Sequence, residues 1–216
     1  ISDPTNPTSV GSLADGGSRE LNGPVELDIA TIGGKPYAVV AAYDDDGIDI
    51  IDISDPTNPT SVGRVIDDSG TKKLNDPYDV AITTIGDSTY AVVTAYTDDG
   101  IQIIDISDPA SPSATTYLGD SGGNHRCLAA SHRCLNGPVD VEITTIGGST
   151  YAVVAGSLDD GIEIIDISTP ASPSSVGRLT DRDDPTRELD GANGVAITTI
   201  GSSTYAVVTG TNDDGI

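Results

Sequence analysis

The chain has 216 residues, with 34 acidic and 10 basic side chains and a formal net charge of −24. This excess of negative charge repels phosphate, so nucleic acids and anionic lipid surfaces are poor partners and we expect no nucleic-acid binding. No stretch reaches the roughly 18 apolar residues that a membrane helix needs, so we expect no membrane insertion. Of the acidic residues 29 are Asp, a residue that favours turns and calcium shells over helices.

One unit is repeated four times along the chain. The phrase Tyr-Ala-Val-Val begins at Tyr37, Tyr90, Tyr151 and Tyr205. The same strand-prone segments recur in order around each copy, and in the second unit they are residues 77–85, 90–96, 100–107 and 112–118. We therefore predict a single repeat domain over 1–216, with units at about 1–52, 53–105, 106–166 and 167–216.

Each unit is predicted to be a meander of four β-strands. Runs of strand-prone residues are separated by short Gly-, Asp- and Pro-rich turns, and no helical periodicity is present. The second strand is apolar on both faces, which is typical of a strand between two other sheets. In the third strand the alternation changes phase at Ile50-Ile51, which indicates either a β-bulge or burial of both faces. The expected fold is all-β: a β-propeller of four-stranded antiparallel meander blades, with four repeats in this chain.

The phrase Gly-Ile-x-Ile-Ile-Asp-Ile-Ser-Asp-Pro-x-x-Pro, with Tyr-Ala-Val-Val-Ala upstream, resembles LVIVD-type propeller repeats. Such repeats are found in secreted and surface proteins of bacteria and archaea, so the resemblance implies an extracellular or cell-surface location. It specifies the blade and says little about function, because propellers host many activities. The unit is also longer than the usual blade of about 40 to 45 residues.

The two ends of the chain match the middle of the repeat. Residues 1–4 align with 53–56, and residues 215–216 align with 161–162. One interpretation is a four-bladed ring in which the first and last segments share a blade. The other, which we favour, is a longer or assembled array, in which the partner of the chain is the same chain.

The Asp-Asp-Gly turns that follow the second strands suggest calcium, since clustered carboxylates beside a glycine suit this ion. The candidate ligands are Asp44, Asp45, Asp46, Asp98, Asp99, Asp159, Asp160, Asp213 and Asp214. We favour a purely structural role, because Asp-Gly is also a favoured hairpin turn and the spaced Asp-x-Asp-x-Asp pattern of a dedicated calcium loop is absent. No other cofactor is expected.

The third strands carry a second set of aspartates at Asp52, Asp105 and Asp166, each two residues before a Ser. We predict that each side chain caps the following turn by accepting hydrogen bonds from backbone N–H groups.

An insertion in the third unit contains both cysteines and both histidines. Cys127 and Cys134 are separated by a short loop, which suits a surface disulfide. With His125 and His132 they could instead form a zinc site, although the spacing is not a usual one. Free or intermolecular thiols are the third alternative.

Catalytic motifs are missing from the sequence. It contains no Gly-x-Ser-x-Gly and no Gly-rich phosphate loop, so we expect a protein that is not an enzyme. In an enzyme, the carboxylates of the first strands would converge on the central channel, at Asp28, Asp79, Asp140 and Glu142.

The expected function is that of a non-enzymatic extracellular structural or adhesive protein that assembles into a polymer or surface layer. The alternative is a binding module for a carbohydrate or a calcium-bridged protein partner on the acidic face, which is the face of the predicted disc that carries the Asp-Asp-Gly turns. Threonines beside prolines are possible O-glycan sites, at Thr5, Thr8, Thr57 and Thr60.

Overall fold

The computed structural model describes residues 3–17, 21–68, 70–120, 135–184 and 186–213. Within these ranges the chain forms 14 β-strands, two short 3₁₀ turns and no α-helix. The all-β prediction is therefore confirmed. No helix among the described residues is long and apolar enough to cross a membrane.

Three blades each contain four strands in an antiparallel meander, in chain order from the inside of the blade outwards. Blade 1 comprises β1 (Pro24–Ile32), β2 (Lys35–Ala42), β3 (Gly47–Asp52) and β4 (Thr60–Ile66). Blade 2 comprises β5 (Pro77–Ile85), β6 (Ser88–Ala95), β7 (Gly100–Asp105) and β8 (Ser113–Gly119). Blade 3 comprises β9 (Pro138–Ile146), β10 (Ser149–Gly156), β11 (Gly161–Asp166) and β12 (Ser174–Thr180). In blade 4 the described residues form two strands, β13 (Ala192–Ile200) and β14 (Ser203–Gly210).

The double isoleucine of the third strand forms a bulge and is also buried. The pairing of β3 with β4 shifts register between Ile50 and Ile51, and both of these side chains are buried. The same shift occurs between Ile103 and Ile104 in blade 2. The bulge lets consecutive isoleucines fill the space on both sides of the blade, so both predicted explanations hold.

Consecutive blades pack face to face through the apolar side chains of their strands. Between blades 1 and 2, Val39 and Ile48 lie in one cluster with Val80 and Ile104. The second strand contributes to the seams on both sides of its blade, and Val39 and Val40 are only 0% and 7% exposed. Each fully buried Val or Ile contributes about 1.5–3 kcal/mol, so the seams hold the arc of blades together.

The innermost strands β1, β5, β9 and β13 lie side by side in chain order. Together they line an open cavity of about 760 Å³, which we call the channel. Side chains that point inward from these four strands therefore lie close together in the channel.

Candidate functional site: the channel and the acidic turns

The channel is lined by carboxylates from three of the four inner strands, at Glu26, Asp28, Asp79, Asp140 and Glu142. The four acids that the sequence placed on the channel do converge there. Blade 4 departs from this pattern, because Gly194 and Ala196 occupy the equivalent positions in β13.

Three of the channel carboxylates connect neighbouring blades. The Asp79 Oδ2 atom accepts a hydrogen bond from the backbone N–H of Val141 in the next inner strand, at 2.8 Å. In the same way Asp140 Oδ2 accepts from the N–H of Val195, at 2.6 Å. The inner strands are not paired as a sheet, so these side chains satisfy backbone donors that would otherwise face the channel.

Blade 1 makes the equivalent contact two residues further along the strand. Asp28 Oδ2 accepts from the N–H of Ile82 at 2.8 Å, while its Oδ1 accepts from the N–H of Ile29 at 2.7 Å. A carboxylate therefore bridges each of the three seams beside the channel.

Burial changes the acidity of this group of side chains. It raises the pKa of Asp79 to about 8, assisted by a hydrogen bond with Asp140 and by the charge of that residue. Burial also raises the pKa of Glu142, to which the charges of Asp140 and Asp28 add. The raised pKa of Asp79 favours a shared proton between the Asp79 and Asp140 carboxyl groups at neutral pH, an arrangement that avoids two adjacent buried negative charges.

The Asp-Asp-Gly turns form a second set of carboxylate contacts, on one face of the arc. The first aspartate of each Asp-Asp-Gly sequence, which is Asp45 in blade 1, accepts a hydrogen bond from a backbone N–H in its own blade. The donor is the residue two positions before the first strand of that blade. The four pairs are Asp45 with Asn22 at 2.7 Å, Asp98 with Asn75 at 3.1 Å, Asp159 with Asn136 at 2.9 Å, and Asp213 with Asp190 at 2.8 Å.

In the first three turns the second aspartate reaches the next blade. Its Oδ1 atom accepts a hydrogen bond from the backbone N–H of the residue that immediately precedes the first strand of that next blade. The pairs are Asp46 with Asp76 at 3.0 Å, Asp99 with Gly137 at 3.1 Å, and Asp160 with Gly191 at 3.2 Å. All three aspartates have a left-handed backbone, with φ of 53°, 56° and 57°. We call these three contacts the blade latches.

The turns therefore use their carboxylates for backbone hydrogen bonds. Burial raises the pKa of Asp99, an effect that the Gly137 N–H opposes and the charges of Asp120 and Asp98 strengthen. Among the described residues, no three acidic, His or Cys side chains are grouped so as to hold a metal ion. Asp214 lies outside the described residues, and calcium at these turns stays a prediction.

The aspartates of the third strands cap the following turns, as predicted. Asp52, Asp105 and Asp166 accept from the N–H groups of Ser54, Ser107 and Ser168, each at 2.9 Å. Hydrogen bonds from these serines lower the pKa of Asp52 and Asp166 below its ordinary value.

The remaining predicted sites are the threonines beside prolines and the cysteine-containing insertion of the third unit. Thr5, Thr8, Thr57 and Thr60 are exposed on the surface. The hydroxyls of Thr5 and Thr57 donate to Asp3 and Asp55 at 2.7 and 2.6 Å. O-glycosylation at these positions stays a prediction, while Cys127, Cys134, His125 and His132 lie outside the described residues.

Sequence reasoning missed the partners of the turn aspartates. They are backbone N–H groups in the pairs Asn22-Gly23, Asn75-Asp76, Asn136-Gly137 and Asp190-Gly191. A signal was present, since a polar residue followed by Gly or Asp recurs two positions before each first strand.

Sequence reasoning also missed a group of tyrosines at the seam of blades 1 and 2. The ring of Tyr78 lies 5.3 Å from that of Tyr43 and 5.2 Å from that of Tyr96.

Solved structures with similar folds support the propeller architecture. A functionally unknown protein from Desulfotomaculum acetoxidans superposes with a TM-score of 0.57 at 15% identity, covering 85% of this chain and 48% of that one. An exo-β-1,3-galactanase from Phanerochaete chrysosporium gives a TM-score of 0.55 at 10% identity, covering 91% and 45%. A putative 6-phosphogluconolactonase from Bacteroides uniformis gives 0.54 at 13% identity, covering 90% and 59%.

The chain thus spans about half the length of these structures, and such low identities indicate the fold alone. A comparison with curated proteins finds no match. The family model for the LVIVD repeat matches residues 28–67, 87–117 and 148–181, which lie within blades 1, 2 and 3. This chain therefore contains LVIVD repeats, and each repeat builds a blade of a β-propeller.

Proposed function

We propose that this protein is a non-enzymatic structural repeat protein of the cell exterior, whose acidic residues build the scaffold. The main support for the proposal is that its carboxylates bind the protein backbone across the seams between blades. Asp28, Asp79 and Asp140 in the channel and the three blade latches all accept backbone N–H groups of the following blade. A catalytic carboxylate has to be available to a substrate, whereas these oxygens already bind the protein backbone.

An activity screen tests this proposal, because similar folds include a galactanase and a lactonase. The purified chain is assayed with aryl glycosides and with gluconolactone, beside the variants Asp79→Asn and Asp140→Asn. We expect no turnover by any of the three proteins. Turnover by the original chain would overturn the proposal, and its loss in either variant, with the circular dichroism spectrum retained, would place the reaction in the channel.

The extracellular location is supported by the resemblance to LVIVD proteins of the cell surface and is tested separately. Cell fractionation with an antibody against the chain should find it in the surface fraction or the medium. Detection in the cytoplasm alone would contradict this part of the proposal.

The tyrosine group supports a second candidate, carbohydrate binding at the acidic face. Tyr78 lines the channel, while Val139 and Asn193 occupy its position in blades 3 and 4. Aromatic rings beside carboxylates suit the apolar faces and hydroxyls of a sugar. Titration with neutral oligosaccharides should then show binding that Tyr78→Ala removes and Tyr151→Ala retains.

A further inference from the structure

The two ends of the arc expose apolar side chains that are covered at every internal seam. Leu27 in β1 is 49% exposed, whereas its equivalents Val80, Val141 and Val195 are 3%, 3% and 6% exposed. Val25 and Ile29, on either side of Leu27, are 45% and 55% exposed. We call these three residues of blade 1 the leading face.

The opposite end of the arc has the same property. Val207 in β14 is 47% exposed, whereas its equivalents Val39, Val92 and Val153 are 0%, 0% and 5% exposed. Tyr205, two residues before it, is 50% exposed. We call Tyr205 and Val207 the trailing face.

The two faces are the separate halves of one kind of seam. Between blades 1 and 2, Val39 of the earlier blade lies in one apolar cluster with Val80 of the later blade, and Ile82 packs against that cluster. These three residues correspond in the repeat to Val207 of the trailing face and to Leu27 and Ile29 of the leading face. A trailing face and a leading face can therefore pack together as the blades already do.

The start of the described chain already lies against blade 1 as part of a preceding blade would. Leu13 packs against Ile51, as the equivalent Val65 clusters with Ile104 of blade 2. A Cβ on Gly11 would lie 2.2 Å from the carbonyl oxygen of Pro56, which excludes any side chain there. The leading face is thus bordered by an outer segment that fits a blade placed before it.

Charge at the trailing face also favours this contact. In a chain of net charge −24, the strands β13 and β14 contain no charged residue. In β1, Glu26 and Asp28 alternate with Val25, Leu27 and Ile29 and therefore point away from the leading face, and Asp28 accepts the N–H of Ile82 in blade 2. Neither face therefore has to bury a charged side chain when two copies meet.

We propose that the trailing face of one copy of this chain binds the leading face of a second copy, head to tail. This pairing rests on the structural role proposed above and identifies the partner through which the scaffold grows. Its driving force is the burial of Val25, Leu27 and Ile29 against Tyr205 and Val207.

The test uses two variants that each disable one face. Leu27→Asp blocks the leading face and Val207→Asp blocks the trailing face, and each should weaken self-association by about 30-fold or more, as loss of a central apolar contact does. Both side chains are exposed, so both variants should keep the circular dichroism spectrum of the original chain and, at a dilution where all are monomeric, its melting temperature. Ile146→Asp, at a side chain that is 47% exposed elsewhere, is the matched control and should associate normally.

Mixing the two variants distinguishes head-to-tail pairing from other modes. Each variant keeps the face that the other has lost, so the mixture should form a discrete one-to-one pair by light scattering during size-exclusion chromatography. Three results would overturn the pairing. The mixture could stay monomeric, a single variant could still self-associate, or the original chain could be monomeric at high concentration. A monomeric chain without enzymatic turnover would leave the structural role standing, whereas turnover by a head-to-tail assembly would overturn that role alone.

Discussion

The carboxylate of Asp46 in blade 1 accepts a hydrogen bond from the backbone N–H of Asp76, at the start of blade 2, over 3.0 Å. The two residues are 30 positions apart in the chain and meet only because the blades stack. We expect Asp46→Ala to lower the free energy of unfolding by about 1–3 kcal/mol, because the donor loses a charged acceptor. Urea unfolding followed by circular dichroism measures this change.

Two further variants control for the loss of charge and of the side chain. Asp46→Asn keeps an acceptor and tolerates the left-handed backbone, so its effect should be smaller. Asp87→Ala removes an exposed aspartate from the β5–β6 turn and should leave the stability unchanged. If Asp46→Ala behaves like Asp87→Ala, the latch does not stabilise the fold.

The proton held by Asp79 predicts a pH dependence of stability. Its pKa rises from 3.8 to about 8 on folding, so the folded chain binds this proton more tightly than the unfolded chain does. The contribution to the free energy of unfolding is complete below pH 4 and is lost as the pH rises towards 8. The other ionisable groups that line the channel with Asp79 are also acidic: Glu26, Asp28, Asp140 and Glu142.

The variant Asp79→Asn tests this dependence, because an amide cannot ionise. Its melting temperature relative to the original chain should increase between pH 5 and pH 9. Asp87→Asn serves as the control and should show the same difference at both values. Parallel pH profiles for Asp79→Asn and the original chain would contradict the prediction.

Calcium should have little effect on the described turns. One oxygen each of Asp45, Asp46, Asp98 and Asp99 accepts a backbone N–H group, which fixes the orientation of these side chains and leaves fewer lone pairs for an ion. We expect the melting temperature to be the same with millimolar calcium and with EGTA. A decrease of several degrees in EGTA would instead support the calcium interpretation of the turns.

Two glycines at the same position of the repeat should differ in their tolerance of a methyl group. A Cβ on Gly63 in β4 would lie 2.1 Å from the carbonyl oxygen of Pro109 in blade 2, whereas a Cβ on Gly177 in β12 finds its nearest atom at 3.7 Å. We expect Gly63→Ala to destabilise the fold by about 1–3 kcal/mol, as overpacking does, and Gly177→Ala to be neutral. Thermal melts of the dilute chain compare the two, and equal effects would contradict the packing of β4 on blade 2.

Local features of this fold were predictable because they depend on residues close together in the chain. The strand Pro77–Ile85 has the predicted bounds, the bulge lies at the double isoleucine, and Asp105 caps its turn through a residue two positions away. Fourfold repetition strengthened each of these signals, since the same pattern had to produce the same structure in every unit.

The sequence by itself determined the strands, their order within a blade and the stacking of blades, because alternation, turn residues and repetition are local or periodic properties. Only the tertiary structure decided what the carboxylates do. The hydrogen bond between Asp79 and Asp140, and the latch from Asp46 to Asp76, join residues whose distance depends on the curvature of the whole arc. The same holds for Leu27 and Val207, which repeat the pattern of buried residues and are exposed because no described blade covers them.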